Sequence, residues 1–211
     1  IVGILLGVIA ALNQNKWIDD LAVFVSVLGY SLPSYVTAMI LALIFGYYLG
    51  DYTGLNLQGP LTDYDVMEDK EIYIWKNLLL PALALGIRPV GIITQLSRSA
   101  MLDVLNQDYI RTAKAKGLSE TSILFKHVLK NSLIPVLTYA GPLVAGLLSG
   151  SFIIEQIHAI PGLAKHFVQS VTNRDYPLIM GVTLLYSAIL IASNLLVDIL
   201  YSYFDPRIKL S

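Results

Sequence analysis

The chain has 211 residues, 55% of them hydrophobic and 14% charged, with a formal net charge of -1. That balance departs far from an average soluble domain and leaves no basic footprint for nucleic acid. Cysteine is absent, which excludes a disulfide framework, a thiolate nucleophile and a cysteine metal site.

Residues 1–12 read as the tail of a cut helix. The chain begins with Ile1 inside an apolar run, without the basic stretch that opens a signal peptide. The expectation is a single transmembrane domain over 1–211, truncated before its first complete spanning helix. Residues 13–20 form a short polar connection that carries Lys16 and an interfacial Trp17. Residues 21–50 hold no charge and predict one long or tilted span. Pro33 interrupts it, as an ordinary kink or as a flexible point for gating.

Residues 51–71 are polar and acidic, with Asp51, Asp63, Asp65, Glu68, Asp69 and Glu71 against Lys70. Gly54, Gly59 and Pro60 mark this stretch as loop. Residues 77–95 predict the next span, which contains Arg88-Pro89. A basic segment over about 98–131 follows, then a span over 133–153 rich in Ala140, Gly141, Ala145, Gly146, Ser149 and Gly150. Small residues at such spacing let helices approach closely in lipid. A second external stretch, 155–175, predicts a short surface or re-entrant helix over 163–171. The last span covers 177–197, ahead of a tail at 198–211. Tyr47, Tyr48, Tyr73, Trp75, Tyr201, Tyr203 and Phe204 fall near the expected interfaces, as an aromatic belt does.

Basic residues orient the chain. Lys16, Arg98, Arg111, Lys114, Lys116, Lys126, Lys130, Arg207 and Lys209 fall on one side, which is then cytoplasmic. The acidic loop at 51–71 faces outward. The basic segment is read as helix, turn, helix outside the bilayer. Small residues Thr112, Ala113 and Ala115 lead to Gly117, where a helix ends, and Ile123, Leu124, Val128 and Leu129 share one face of the next helix.

Enzyme chemistry finds little support in the pattern. His127, His158 and His166 are separated and form no H-E-x-x-H arrangement. Neither a nucleophile elbow nor a P-loop motif is present. Asn194 and Asp198 share a helix face, consistent with a local hydrogen bond, a partner at the interface or a proton relay. Arg88 falls midway along its span, where a charge facing lipid is costly. Two readings stand for it: a structural tie to backbone carbonyls or a partner's acid, and a pathway cation that meets a peptide carboxylate.

The run Asp108-Tyr109-Ile110-Arg111-Thr112-Ala113-Lys114-Ala115-Lys116-Gly117-Leu118, with His127-Val128-Leu129-Lys130-Asn131-Ser132-Leu133-Ile134-Pro135 after it, resembles the EAA loop of ABC-importer permeases. The version is that of the oligopeptide/dipeptide/nickel group. The literal Glu-Ala-Ala is replaced by Arg111-Thr112-Ala113, as is usual in that group. Leu32-Pro33-Ser34, Leu80-Pro81-Ala82, Arg98-Ser99-Ala100-Met101-Leu102, Glu155, Pro161-Gly162-Leu163, Arg174-Asp175-Tyr176-Pro177 and Asp205-Pro206-Arg207 extend the likeness over nearly the whole chain.

The resemblance implies an all-α, polytopic transmembrane helical bundle with a cytoplasmic coupling loop, in a bacterial or archaeal inner membrane. It implies a second permease subunit, two cytoplasmic ATPase subunits that carry the ATP and Mg, and an external substrate-binding protein. Cofactors are expected on those partners and none on this chain, and no nucleic acid is expected. Tyr109, Arg111, Thr112, Ala113, Lys116, Gly117 and Leu118 are the implied ATPase-coupling residues. Glu155, Pro161 and Gly162 are read either as part of an external gate or as a capped external turn. Di- or oligopeptides are the first-choice cargo, with nickel complexes or oligosaccharides as alternatives. A passive channel or a secondary transporter is the rival from another class, although the spans show neither internal repeats nor intramembrane acids clearly.

Overall fold

The computed structural model describes residues 1–59, 61–65 and 70–204. Pro60, Glu68, Asp69, the Asp205-Pro206-Arg207 run and Lys209 lie outside the described residues. Among the described residues the architecture is all-α apart from one small hairpin. Helix α1 covers Val2–Leu12, α2 Trp17–Ser31, α3 Ser34–Leu41 and α4 Gly50–Thr53. A π-helical stretch, Ala42–Tyr48, joins α3 to α4. Strands β1 (Thr62–Asp65) and β2 (Lys70–Tyr73) follow. Helices α5 (Lys76–Leu105), α6 (Asp108–Ala115), α7 (Glu120–Ile123), α8 (Leu129–Ser132), α9 (Ile134–Leu148), α10 (Phe152–Ile157), α11 (Leu163–Asn173) and α12 (Tyr176–Phe204) complete the order.

Among the described residues, three stretches are long and apolar enough to cross a membrane: Lys76–Leu105, Ile134–Ile157 and Tyr176–Ile199. The charge-free stretch at 21–50 is not one continuous span. It breaks at Leu32-Pro33 into α2 and α3, because Pro33 takes an extended ψ of 137° and cannot donate a backbone hydrogen bond at the junction. Counted as one broken span, this pair brings the total to four. Part of the acidic stretch is ordered as β1 paired antiparallel with β2, in the register Thr62 with Tyr73 and Asp65 with Lys70. Alternation of Thr62 and Tyr64 with acids is a short strand pattern that turn residues obscure in the sequence. The basic segment also begins later than its charges suggest, since α5 continues as helix to Leu105.

The chain divides into two compact units, each drawn from separated segments. The first holds Ile1–Ser31, Pro89–Ala145 and the chain from Ile189. Here glycines set the helix contacts. A Cβ on Gly7 of α1 would lie 2.6 Å from the Thr94 carbonyl oxygen, and one on Gly91 of α5 would collide with the Ser26 carbonyl oxygen of α2, 2.5 Å away. Gly141 of α9 likewise admits Asn194 of α12, whose Oδ1 would stand 2.7 Å from an added Cβ. Small residues thus allow the close packing expected for the α9 segment. At the end carrying the basic residues, Ala11, Met101, Ile110, Ala113, Ile123 and Val128 form a buried cluster.

The second unit holds Leu32–Arg88 and Gly146–Ala188. Its core is Ala38, Ala84 and Ile154, with Leu41, Leu85 and Ile157 packed against them. Outside these small cores most apolar side chains are exposed, among them Phe24, Leu184 and Ile191 at 62%, 70% and 67%. Such surfaces suit lipid or partner helices rather than water.

Candidate functional site

Helix α6 forms because its sequence is amphipathic and its charges match the helix dipole. Asp108 lies in its first turn and Lys114 in its last. Ile110 and Ala113 point inward and are 0% and 7% exposed. Tyr109, Arg111, Thr112, Lys114 and Lys116 lie on the exposed face. The helix ends where the sequence predicts. Gly117 takes a φ of +77°, its N–H donates to the Lys114 carbonyl at 2.9 Å, and the Leu118 N–H donates to the Ala113 carbonyl at 3.3 Å. That bond pair is a Schellman turn, and its left-handed residue favours glycine.

A second helical stretch starts at Ser119, whose Oγ accepts from the Ser122 N–H at 3.3 Å. It runs through α7, a π-helical turn at Leu124–Val128, and α8. Ile123 and Val128 are buried against α6 and the end of α5. Asn131 Nδ2 donates to the Tyr109 hydroxyl at 2.8 Å, which ties the two halves of the sequence motif together. Beside α6 lies a hollow of about 230 Å³, lined by Leu12, Leu105, Ile123, Leu124 and Val128 with Lys114 and Glu120.

The implied coupling residues therefore separate into two groups. Tyr109, Arg111, Thr112, Lys116, Gly117 and Leu118 are presented outward. Ala113 instead seats the helix on the subunit's own core. The Asp108–Arg111 pair, at 3.5 Å and largely exposed, adds little to stability.

In the second unit, Glu155, Pro161 and Gly162 do come together. The Glu155 side chain is buried, and its Oε2 accepts from the Lys165 N–H at 2.8 Å. Helix α11 starts after Gly162 with no side-chain cap of its own, so the Glu155 carboxylate satisfies one of its free donors and meets the positive end of its dipole. Gly150 and Gly162 leave the room, since a Cβ on either would collide with that carboxylate. Pro161 is exposed at the turn. The local geometry is that of a capped helix start.

The same corner is stapled twice to the segment before the hairpin. Gln58 Nε2 donates to the Ile157 carbonyl at 2.6 Å, and the buried His158 holds its Nδ1 3.2 Å from the Leu57 carbonyl oxygen. Burial lowers the His158 pKa below the usual histidine range, favouring the neutral ring that donates through Nδ1. Downstream, Arg174 closes α11 in a left-handed conformation at φ 56°, and Asp175 Oδ1 accepts from the Leu178 N–H at 3.2 Å to start α12. Arg174-Asp175-Tyr176-Pro177 is thus a cap-to-cap turn.

Arg88 lies on α5 within the second unit and is exposed. Helix α5 continues through Pro89. Among the described residues the structure gives Arg88 no ion-pair or hydrogen-bond partner, so the tie to local carbonyls is not formed. Sequence reasoning missed Asp19. Its carboxylate receives Arg98 Nε at 2.5 Å and Arg98 Nη2 at 2.6 Å.

Residues 3–210 match the family described as binding-protein-dependent transport system inner membrane component. The chain belongs to this family. It is similar to the dipeptide transport system permease protein DppB of Bacillus subtilis, 47% identical over 99% of this chain and 63% of the relative. It is also similar to the protein of that name in Haemophilus influenzae, 42% identical over 98% of this chain and 66% of that relative. A putative peptide transport system permease protein of Brucella abortus is 39% identical over 99% of this chain and 64% of its own length. The chain thus spans a little under two thirds of these relatives. Among solved structures, the crystal structure of an amino acid ABC transporter with histidines aligns with a TM-score of 0.61 at 17% identity, covering 98% of this chain and 86% of that chain. The two share a fold. The chain is accordingly an inner-membrane component with several spanning helices.

Proposed function

We propose that the chain is the membrane-spanning part of an ATP-driven importer subunit for di- or oligopeptides, a transport subunit rather than an enzyme. Family membership and relatives bearing dipeptide transport names support the reading. The observation that carries it is α6: a short helix packed through Ile110 and Ala113 on the subunit's own core, presenting Tyr109, Arg111, Thr112, Lys116, Gly117 and Leu118 outward. A cytoplasmic ATPase subunit docks on that face and supplies the nucleotide chemistry with its own ATP and Mg. The complex contains two such ATPases, a second permease subunit and an external binding protein that delivers cargo. ATP-driven closure of the ATPases pushes α6, and rigid-body rocking converts an inward-facing pathway to an outward-facing one. Nickel complexes or oligosaccharides are the second choice of cargo. Arg88 is the pathway cation, and the Glu155 turn fixes the external end of α11 near the gate.

This reading requires α6 to face the cytoplasm. Lys16, Arg98, Arg111, Lys114, Lys116, Lys126 and Lys130 all belong to the first unit, and the acidic stretch beginning at Asp51 belongs to the second. The absence of cysteine makes a labelling test clean. In the full-length protein, Asp51→Cys is expected to react with an impermeant maleimide on intact cells. Glu120→Cys is expected to react only after the membrane is opened. The opposite pattern would turn the subunit over and remove α6 as a docking element.

A further inference from the structure

The fork of Arg98 meets both oxygens of Asp19, at 2.5 and 2.6 Å, and the Asn15 N–H donates to the same carboxylate at 3.1 Å. The Asp19 side chain is 2% exposed and that of Arg98 23%. A basic residue that served only as an interfacial anchor would turn its head toward water. This one turns toward a buried acid, in the paired geometry that fixes both partners.

The position of the pair on the helices gives it a mechanical role. Arg98 is close to one helical turn before Met101 on α5. Met101 is fully buried and belongs to the cluster that holds Ile110 and Ala113 of α6. Asp19 lies in the first turn of α2. Farther along, Gln95 Nε2 donates to the Val23 carbonyl at 3.4 Å, and Gly91 packs on Ser26. The end of α5 is therefore fixed to α6 by apolar packing and to α2 by a charged fork. Packed helices of this kind move as a body rather than deform.

We propose that the Asp19–Arg98 pair is the positioning link that delivers a displacement of α6, through the end of α5, to α2. The proposal rests on the reading of α6 as the ATPase docking element. Breaking the fork leaves the α6 surface in place and separates ATP hydrolysis from the movement of α2.

The test uses the full-length protein in its assembled complex in proteoliposomes, with Asp19→Asn, Arg98→Lys and the exchange Asp19→Arg/Arg98→Asp. Three quantities are measured: ATPase subunit co-purified, ATP hydrolysed, and labelled dipeptide taken up. For Asp19→Asn, ATPase recovery is expected to stay at the wild-type level while uptake per ATP hydrolysed falls about tenfold. Arg98→Lys keeps the charge without the fork and is expected to fall between wild type and Asp19→Asn. The exchange is expected to recover part of the loss. Should Asp19→Asn fail to accumulate, the Lys variant and the exchange carry the same comparison. Wild-type uptake per ATP in the variants, or a loss that only follows the amount of complex assembled, would overturn the link. A wild-type complex that hydrolyses ATP without uptake would overturn the coupling reading itself, and the link with it.

Discussion

Ala113→Asp is expected to detach the ATPase subunits while the spanning helices still insert. Ala113 is 7% exposed and packed with Met101, Ile110, Ile123 and Val128. A carboxylate there is enclosed by apolar groups, and an unpaired buried charge costs about 3–5 kcal/mol. Helix α6 relieves that cost by lifting off its seat, and its outer face loses its orientation. ATPase co-purification is expected to fall at least about tenfold, because a loss of about 1.4 kcal/mol in docking already gives that factor. Gly117→Val should act in the same direction and more weakly. No other part of this chain stands within 4 Å of an added Cβ there, so within the subunit its cost is that of the left-handed backbone, about 1–2 kcal/mol. Ala113→Ser is expected to retain docking. Wild-type ATPase recovery in Ala113→Asp would show that α6 does not hold the partner.

Arg88→Gln is expected to cut uptake of dipeptides with a free carboxylate about tenfold, a factor equal to about 1.4 kcal/mol and within the range for a partly watered charge pair. Uptake of the amidated peptides should be unchanged. Arg88 is exposed and unpaired among the described residues, on a helix long enough to span the bilayer. Lipid does not tolerate such a fork cheaply, so an aqueous path or a partner acid must meet it. Arg88→Lys keeps the charge and should lose less than Gln. Equal loss for both cargos together with reduced assembly would assign Arg88 to a partner's acid instead.

Much of the candidate coupling element was legible because its determinants are local. Gly117 sits where a helix must stop, Asp108 and Lys114 sit at matching dipole ends, and Ile123, Leu124, Val128 and Leu129 recur at helical spacing. The spans were legible for the same reason, since apolar length is a local property. Pro33 was visible, but its consequence was not. Whether a proline kinks a span or breaks it depends on what the neighbouring backbone groups can bond, and that is set by tertiary packing. The hairpin at β1 and β2 was hidden by acids and turn residues. Ala113 could be placed on α6 from sequence, yet which of its faces turns inward depends on Met101 and Val128, far along the chain. Asp19 carried no signal beside Asp20, because only the fold brings Arg98 to one of the two adjacent acids. Nothing local to Glu155 announced the Lys165 N–H that it caps, because only the fold brings the two together.

ATP-dependent uptake tests the central claim most directly. The full-length protein is co-reconstituted with its partner permease and ATPases in proteoliposomes, with ATP and Mg supplied on the ATPase side and binding protein plus radiolabelled dipeptide on the other. The account predicts dipeptide accumulation that requires ATP and binding protein and is lost in Ala113→Asp. Accumulation that proceeds without ATP and follows an ion gradient would contradict it and assign the chain to secondary transport.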